Sequence, residues 1–148
     1  MAAYNKFNIT VQDFARAIHN LSTTTVLKVM LSNTLPTSSM NTSTDITQIS
    51  SGNGYTLGGS SVAILSSIQS SGTYKLLQNA ALVFTATGAV GPFQYAILYN
   101  STAITSSTIS GSTAPLMGWY DYGSPVTLAN TETFTLTWDA SSGILQLT

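Results

Sequence analysis

A reactive centre needs a matched set of side chains, and this sequence is sparing with them. His19 is the single imidazole. A Ser or Thr nucleophile needs a base beside it, and only His19 is available for that. With no second histidine to join it as a metal ligand, a helix-end or core role is the simpler reading. No Gly-x-Ser-x-Gly occurs, so Ser51-Gly52 and Ser71-Gly72 are turn residues rather than nucleophile elbows. Paired carboxylates would suit glycoside hydrolysis. The acids are Asp13, Asp45, Asp121, Glu132 and Asp139, and Asp121 with Glu132 or Asp139 is the pair to consider. Asp121 lies between Trp119-Tyr120 and Tyr122, where rings beside a carboxylate form a sugar platform. The plainer alternative makes these strand residues, with Asp121 opening a turn at Gly123. The acids are too dispersed for a calcium loop. Gly58-Gly59-Ser60-Ser61 lacks the lysine and the strand–loop–helix setting of a phosphate loop. Zero cysteines exclude disulfides, Cys-based zinc sites and thiol catalysis. No catalytic residue, metal site or cofactor is expected, and the chain is read as not an enzyme.

Contact chemistry is better represented. Tyr and Trp are common interface anchors, and the inventory includes Tyr4, Phe7, Tyr95, Tyr99, Trp119, Tyr120 and Tyr122. Tyr4 and Phe7 sit in an arm over residues 1–9 that shows no element of its own, which reads as a segment docking on a neighbour, or else as a frayed terminus. The partner-binding candidates are therefore Tyr4, Lys6, Phe7 and Arg16 at this end. Ile46, Ile49 and Tyr55 join them as apolar islands in a polar loop.

The elements that must position these residues follow from periodicity. Thr10 and Asp13 form a Thr-x-x-Asp helix start. Val11, Phe14 and Ile18 fall on one helical face, and Asn20 is a stop. From residue 23 to 33 the period changes to two. Thr25, Leu27, Val29 and Leu31 face one way, and Val26, Lys28 and Met30 the other, giving a strand with one mixed face. Residues 34–59 are polar and rich in turn chemistry, a loop longer than most. Strands are expected at 61–67, 73–78, 81–87, 93–99, 116–122, 126–128, 133–138 and 144–147, the last two forming a terminal hairpin. Residues 100–114, almost wholly Ser, Thr, Ile and Gly, read as an exposed hairpin or loop. Such spacing is that of an antiparallel β-sandwich or jelly roll. The expected plan is a mainly β chain of about eight strands with one short N-terminal helix. An arm and helix occupy 1–22, and a single β-sandwich domain occupies 23–148.

Composition sharpens this. Only nine of 148 residues are charged, four basic and five acidic, while 21 Ser and 23 Thr supply neutral hydroxyls. Lys6, Arg16, Lys28 and Lys75 make no basic footprint, so no nucleic-acid partner is expected. No apolar run approaches the ~20 residues of a membrane span, and no secretory leader is recognised. The four Asn-x-Ser/Thr sequons, at Asn8, Asn20, Asn41 and Asn100, are no more than this hydroxyl content yields. Net charge near zero favours association, and a hydroxyl-coated surface can be buried without desolvating charges.

Three stretches carry a resemblance: residues 44–59 (TDITQISSGNGYTLGG), 91–100 (GPFQYAILYN) and 116–123 (LMGWYDYG). Together with the Thr/Leu-rich strand near the C-terminus, the chain resembles small virion structural proteins of tailed bacteriophages. That resemblance implies capsid decoration, or cement, on a β-sandwich or jelly-roll fold. It implies the major capsid protein as partner, self-association as a homotrimer, and a virion location after synthesis in a host cytoplasm. A tail or neck component, or a carbohydrate-binding β-sandwich module, is the alternative. The family supplies no catalytic residues to transfer.

Overall fold

The computed structural model describes residues 4–22, 26–102 and 113–147. The expected hairpin or loop over 100–114 lies mostly outside them. The chain is mainly β, with antiparallel sheets and, among the described residues, one α-helix. Its elements are β1 (Tyr4–Lys6), α1 (Ile9–Ala15), β2 (Leu27–Ser32), β3 (Ser60–Ser61), β4 (Ile64–Ser70), β5 (Thr73–Gln78), β6 (Leu82–Thr85), β7 (Val90–Asn100), β8 (Leu116–Leu128), β9 (Thr133–Leu136) and β10 (Leu145–Leu147). They form a five-stranded sheet of order β1-β8-β7-β2-β3, a three-stranded sheet β10-β5-β4, and a two-stranded sheet β6-β9.

The large sheet is buried on both faces. One face shares the main core, in which Leu27, Val29, Leu31, Leu98 and Tyr120 meet Leu76 of the three-stranded sheet and Phe84 of the two-stranded sheet. The other face carries Met30, Tyr95, Ile97, Tyr99 and Leu116, covered by Phe7 and Ile46 from outside the sheet. This double burial explains why β7 reads as an unbroken apolar run from Tyr95 to Tyr99 rather than as an alternation. It also explains β2, whose second face proves apolar at Met30. The strands expected at 116–122 and 126–128 are one strand, β8. The register between Phe93↔Val126 and Tyr95↔Asp121 takes two steps on β7 and five on β8, and the irregularity absorbs Gly123 and Pro125 without ending the pairing.

The start, apolar face and stop of the helix, and the terminal hairpin, are also corrected. Helix α1 begins at Ile9, and its N-cap is Asn8, with no side-chain capping bond. Thr10 is instead buried inside the helix, its Oγ1–H donating to the carbonyls of Leu116 (3.2 Å) and Met117 (2.9 Å). Those carbonyls lie at the irregular start of β8, and the Met117 carbonyl also accepts the Phe7 N–H (3.3 Å) and the Tyr4 hydroxyl (2.9 Å), gathering the N-terminal segment onto one point. Val11, expected on the apolar face, is exposed. The helix ends in a Schellman arrangement rather than at Asn20. Ala17 takes φ +57°, its N–H meets the Phe14 carbonyl (3.1 Å), and the Ile18 N–H meets the Asp13 carbonyl (2.9 Å). The expected terminal hairpin does not form. β9 pairs with β6 and β10 with β5, so the Asp139 turn passes the chain between sheets instead of reversing it within one.

Candidate functional site

The ionisable groups come first, because an active centre would have to be built from them. Four of the five acids hold local turns. Asp45 Oδ2 accepts the N–H groups of Asn41 (2.8 Å) and Thr42 (2.9 Å). Asp121 Oδ1 accepts the Gly123 N–H (2.7 Å) and the Gln94 Nε2–H (2.9 Å). Glu132 Oε2 accepts the Ala129 N–H (2.7 Å), and Asp139 Oδ1 accepts those of Ser141 (2.9 Å) and Ser142 (2.8 Å). Backbone hydrogen bonds from Thr42 and Asn41 hold the Asp45 carboxyl below its ordinary pKa, and those from Ser142 and Ser141 do the same for Asp139. Carboxylates tied into turns in this way are acceptors already in use.

The remaining acid and the histidine are buried. Asp13 leaves Oδ2 without a hydrogen-bond partner among the described residues, and His19 leaves Nε2 so. His19 Nδ1 lies 3.2 Å from Asn100 Nδ2, and its ring stands 5.0 Å from Phe14. Asn100 cannot turn its amide round, because its Oδ1 accepts the Thr102 N–H (2.9 Å). Its Nδ2 therefore donates, Nδ1 of His19 accepts, and the proton of the neutral ring sits on Nε2. No cluster of three or more His, Cys, Asp or Glu side chains that could hold a metal ion occurs among the described residues.

The partner-binding candidates divide sharply. Phe7, Ile46, Ile49 and Tyr55 are buried within their own chain, which corrects their assignment as exposed contact residues. Phe7 lies 4.6 Å, ring to ring, from Trp119. The arm thus docks in cis. β1 pairs with β8 in the register Tyr4↔Tyr120 and Lys6↔Gly118, and Gly118 is required there because a Cβ would run into the Tyr4 ring. The loop is likewise stapled down. Tyr55 Oη–H donates to Gln48 Oε1 (3.0 Å) and accepts the Leu31 N–H (3.1 Å). Gly58 N–H donates to the same Gln48 oxygen (2.7 Å), and Tyr99 Oη–H donates to the Gly58 carbonyl (2.7 Å). An open sheet face needs a cover, and residues 34–59 supply much of it.

Tyr4, Lys6 and Arg16 stay exposed. Tyr4 and Lys6 are brought together on the rim of a groove of about 370 Å³, with Val11 and Phe14 of α1 and with Leu145 and Leu147 of β10. The Tyr4 hydroxyl donates to the Met117 carbonyl (2.9 Å), and burial of that end pushes its pKa up. A second groove of about 360 Å³ runs between Tyr120, Tyr122 and Gln94 on one side and Phe134 to Thr137 on the other. Of the suggested sugar platform, Tyr120 and Tyr122 face this groove. Trp119 lies on the other sheet face under Phe7, and the Asp121 carboxylate is held by Gln94 and Gly123. The sequence reading missed the exposed apolar side chains of Val11, Leu65, Ile68 and Leu147. For Ile68 the alternation pointed the other way: an apolar residue between Ser67 and Gln69 reads as inward, whereas Ser67 is the one turned inward, towards the Leu21 carbonyl.

No protein-family model, curated protein or solved structure matches the chain. No helix among the described residues is long and apolar enough to cross a membrane.

Proposed function

We propose that this protein is a non-enzymatic virion structural protein, a capsid decoration (cement) protein that bridges major capsid subunits of a tailed phage. The observation that carries the reading is how the polar chemistry is used. The described acids hold turns or are buried, whereas Val11, Leu35, Leu57, Leu65, Ile68, Val83 and Tyr122 are exposed. A surface of neutral hydroxyls and scattered apolar side chains is suited to contact with other protein rather than to bond-making. The resemblance of residues 44–59, 91–100 and 116–123 to phage virion proteins supplies the partner. The finer fold, a two-layer antiparallel sandwich of jelly-roll type, belongs to the same proposal. Its support is the main core shared by the five-stranded sheet and the two smaller ones.

The bridging contact is assigned to Tyr4, Lys6, Val11 and Leu147 around their groove, with the exposed Arg16 at the C-terminal end of α1. On the capsid surface, three-fold self-association would multiply modest contacts of this kind into a strong clamp. Cryo-electron microscopy of the parent particle tests the reading: density on the capsid lattice supports it, and density only in the tail or neck sinks it. A carbohydrate-binding module is the second reading, favoured by the aromatic groove at Tyr120, Tyr122 and Phe134. A glycan array without hits removes it.

A further inference from the structure

Among the described residues six strands lie at a sheet edge: β1 and β3, β10 and β4, and β6 and β9. Five are short, with two residues in β3, three in β1 and β10, and four in β6 and β9. Short edges are self-protecting, because they offer too few free N–H and C=O groups to template another strand. β4 is the exception, at seven residues. Its inner neighbour is β5, and no described strand pairs with its other side.

The usual protections are also thin on β4. It contains no proline and no charge, and residues 46–74 as a whole carry no charge. A bulge at Leu65 interrupts the register with β5 between Ile64 and Ser66, leaving Ser66–Ser70 as the regular run. Ser67 faces inward, its Oγ–H donating to the Leu21 carbonyl (2.7 Å). Ile68 therefore points outward, 43% exposed, in the middle of that run, and Leu65 is 56% exposed beside it.

We propose that β4 is an interface strand, pairing antiparallel with β4 of a second copy of this chain across a two-fold axis centred near Ile68. The occupant follows from length and charge. Only another β4 among the described edges is long enough to match β4. A strand without charge can face itself with no like-charge opposition. Centring on Ile68 pairs the whole regular run and brings the exposed side chains of the two copies together, the self-complementary contact that a two-fold requires. The contact stands apart from the capsid reading, since it forms in solution whether or not a capsid is bound.

The test is mass and cross-linking on the full chain. Light scattering should show a concentration-dependent rise from the 15.5 kDa chain to twice that mass. Amide exchange should slow in step with it at those residues of Ser66–Ser70 whose N–H groups point away from β5. Ile68→Cys in this cysteine-free chain should oxidise to a cross-linked dimer, because opposed residues of an antiparallel pair bring Cα atoms to about 4.5–5.5 Å, within disulfide reach. Leu35→Cys, on an exposed loop residue, should not. Ile68→Lys should restore the monomer mass with an unchanged circular dichroism spectrum. The proposal is overturned by a monomer at all concentrations, by an oligomer in which the β4 amides pointing away from β5 exchange freely, or by an Ile68→Lys variant that remains a dimer.

Discussion

Replacing His19 with Gln should change how the stability of this protein depends on pH. Burial holds the His19 pKa down from 6.5 to about 4. The imidazole is nearly sealed from solvent, and its Nδ1 must accept from an Asn100 amide that Thr102 prevents from turning. A proton on Nδ1 would set two donors face to face. The sign follows from proton binding. Above the unfolded value the ring is neutral in both states, and the fold has its full stability. As pH falls from 6.5 towards 4, the unfolded chain takes up a proton that the folded chain refuses, so stability is lost. At ~1.4 kcal/mol per pKa unit, the whole window costs about 3 kcal/mol. Asp13 acts oppositely. Burial raises its pKa, so a proton held in the folded state offsets part of the loss as pH falls towards the ordinary aspartate value of 3.8. The cleanest comparison is therefore Asp13→Asn against Asp13→Asn with His19→Gln, by urea unfolding between about pH 7 and pH 4. The single variant should lose about 3 kcal/mol more than the double across that range. Parallel pH profiles, or an NMR titration placing the folded His19 near 6.5, would refute the reasoning.

Three substitutions probe the features that close the fold. Ala17→Gly relieves a left-handed residue at the helix end and should stabilise by ~1 kcal/mol, read as a higher urea midpoint. Tyr55→Phe removes the acceptor of the buried Leu31 N–H and the donor to Gln48, and should cost ~1–3 kcal/mol with faster exchange at the Leu31 amide. Gly59→Ala should cost ~3 kcal/mol or more. A Cβ at that φ of +69° runs into the Val29 carbonyl on β2, and differential scanning calorimetry would show the lowered Tm.

Much of the β framework was legible because turn chemistry marks it locally. β5 was expected at its observed bounds. Ser71 and Gly72, with φ of +50° and +82°, form the two-residue hairpin turn that ends β4 at Ser70 and starts β5 at Thr73. β9 was legible from the alternation of Thr133, Thr135 and Thr137 with Phe134 and Leu136. What stayed hidden depended on partners far along the chain. Tyr-Asn-Lys has no strand pattern, and it becomes β1 only because β8 offers an edge with Gly118 open for the Tyr4 ring. Ile46, Ile49 and Tyr55 looked like contact residues because they are apolar islands in a polar loop. They are so, but the surface they meet is the second face of their own sheet or the rim of its core. The Asp139 turn announced a reversal without saying which sheet would receive the next strand.

The groove shared by Tyr4 and Leu147 also has a topological consequence. The first and last described strands emerge at one place on the surface, so a short linker could join them. The β4–β5 turn at Ser71–Gly72 is exposed, the kind of tip at which new termini are tolerated. A circular permutant opened there would leave the sheets intact. It would carry any fused passenger on the flank of β4, while the Tyr4 groove became a continuous stretch of chain.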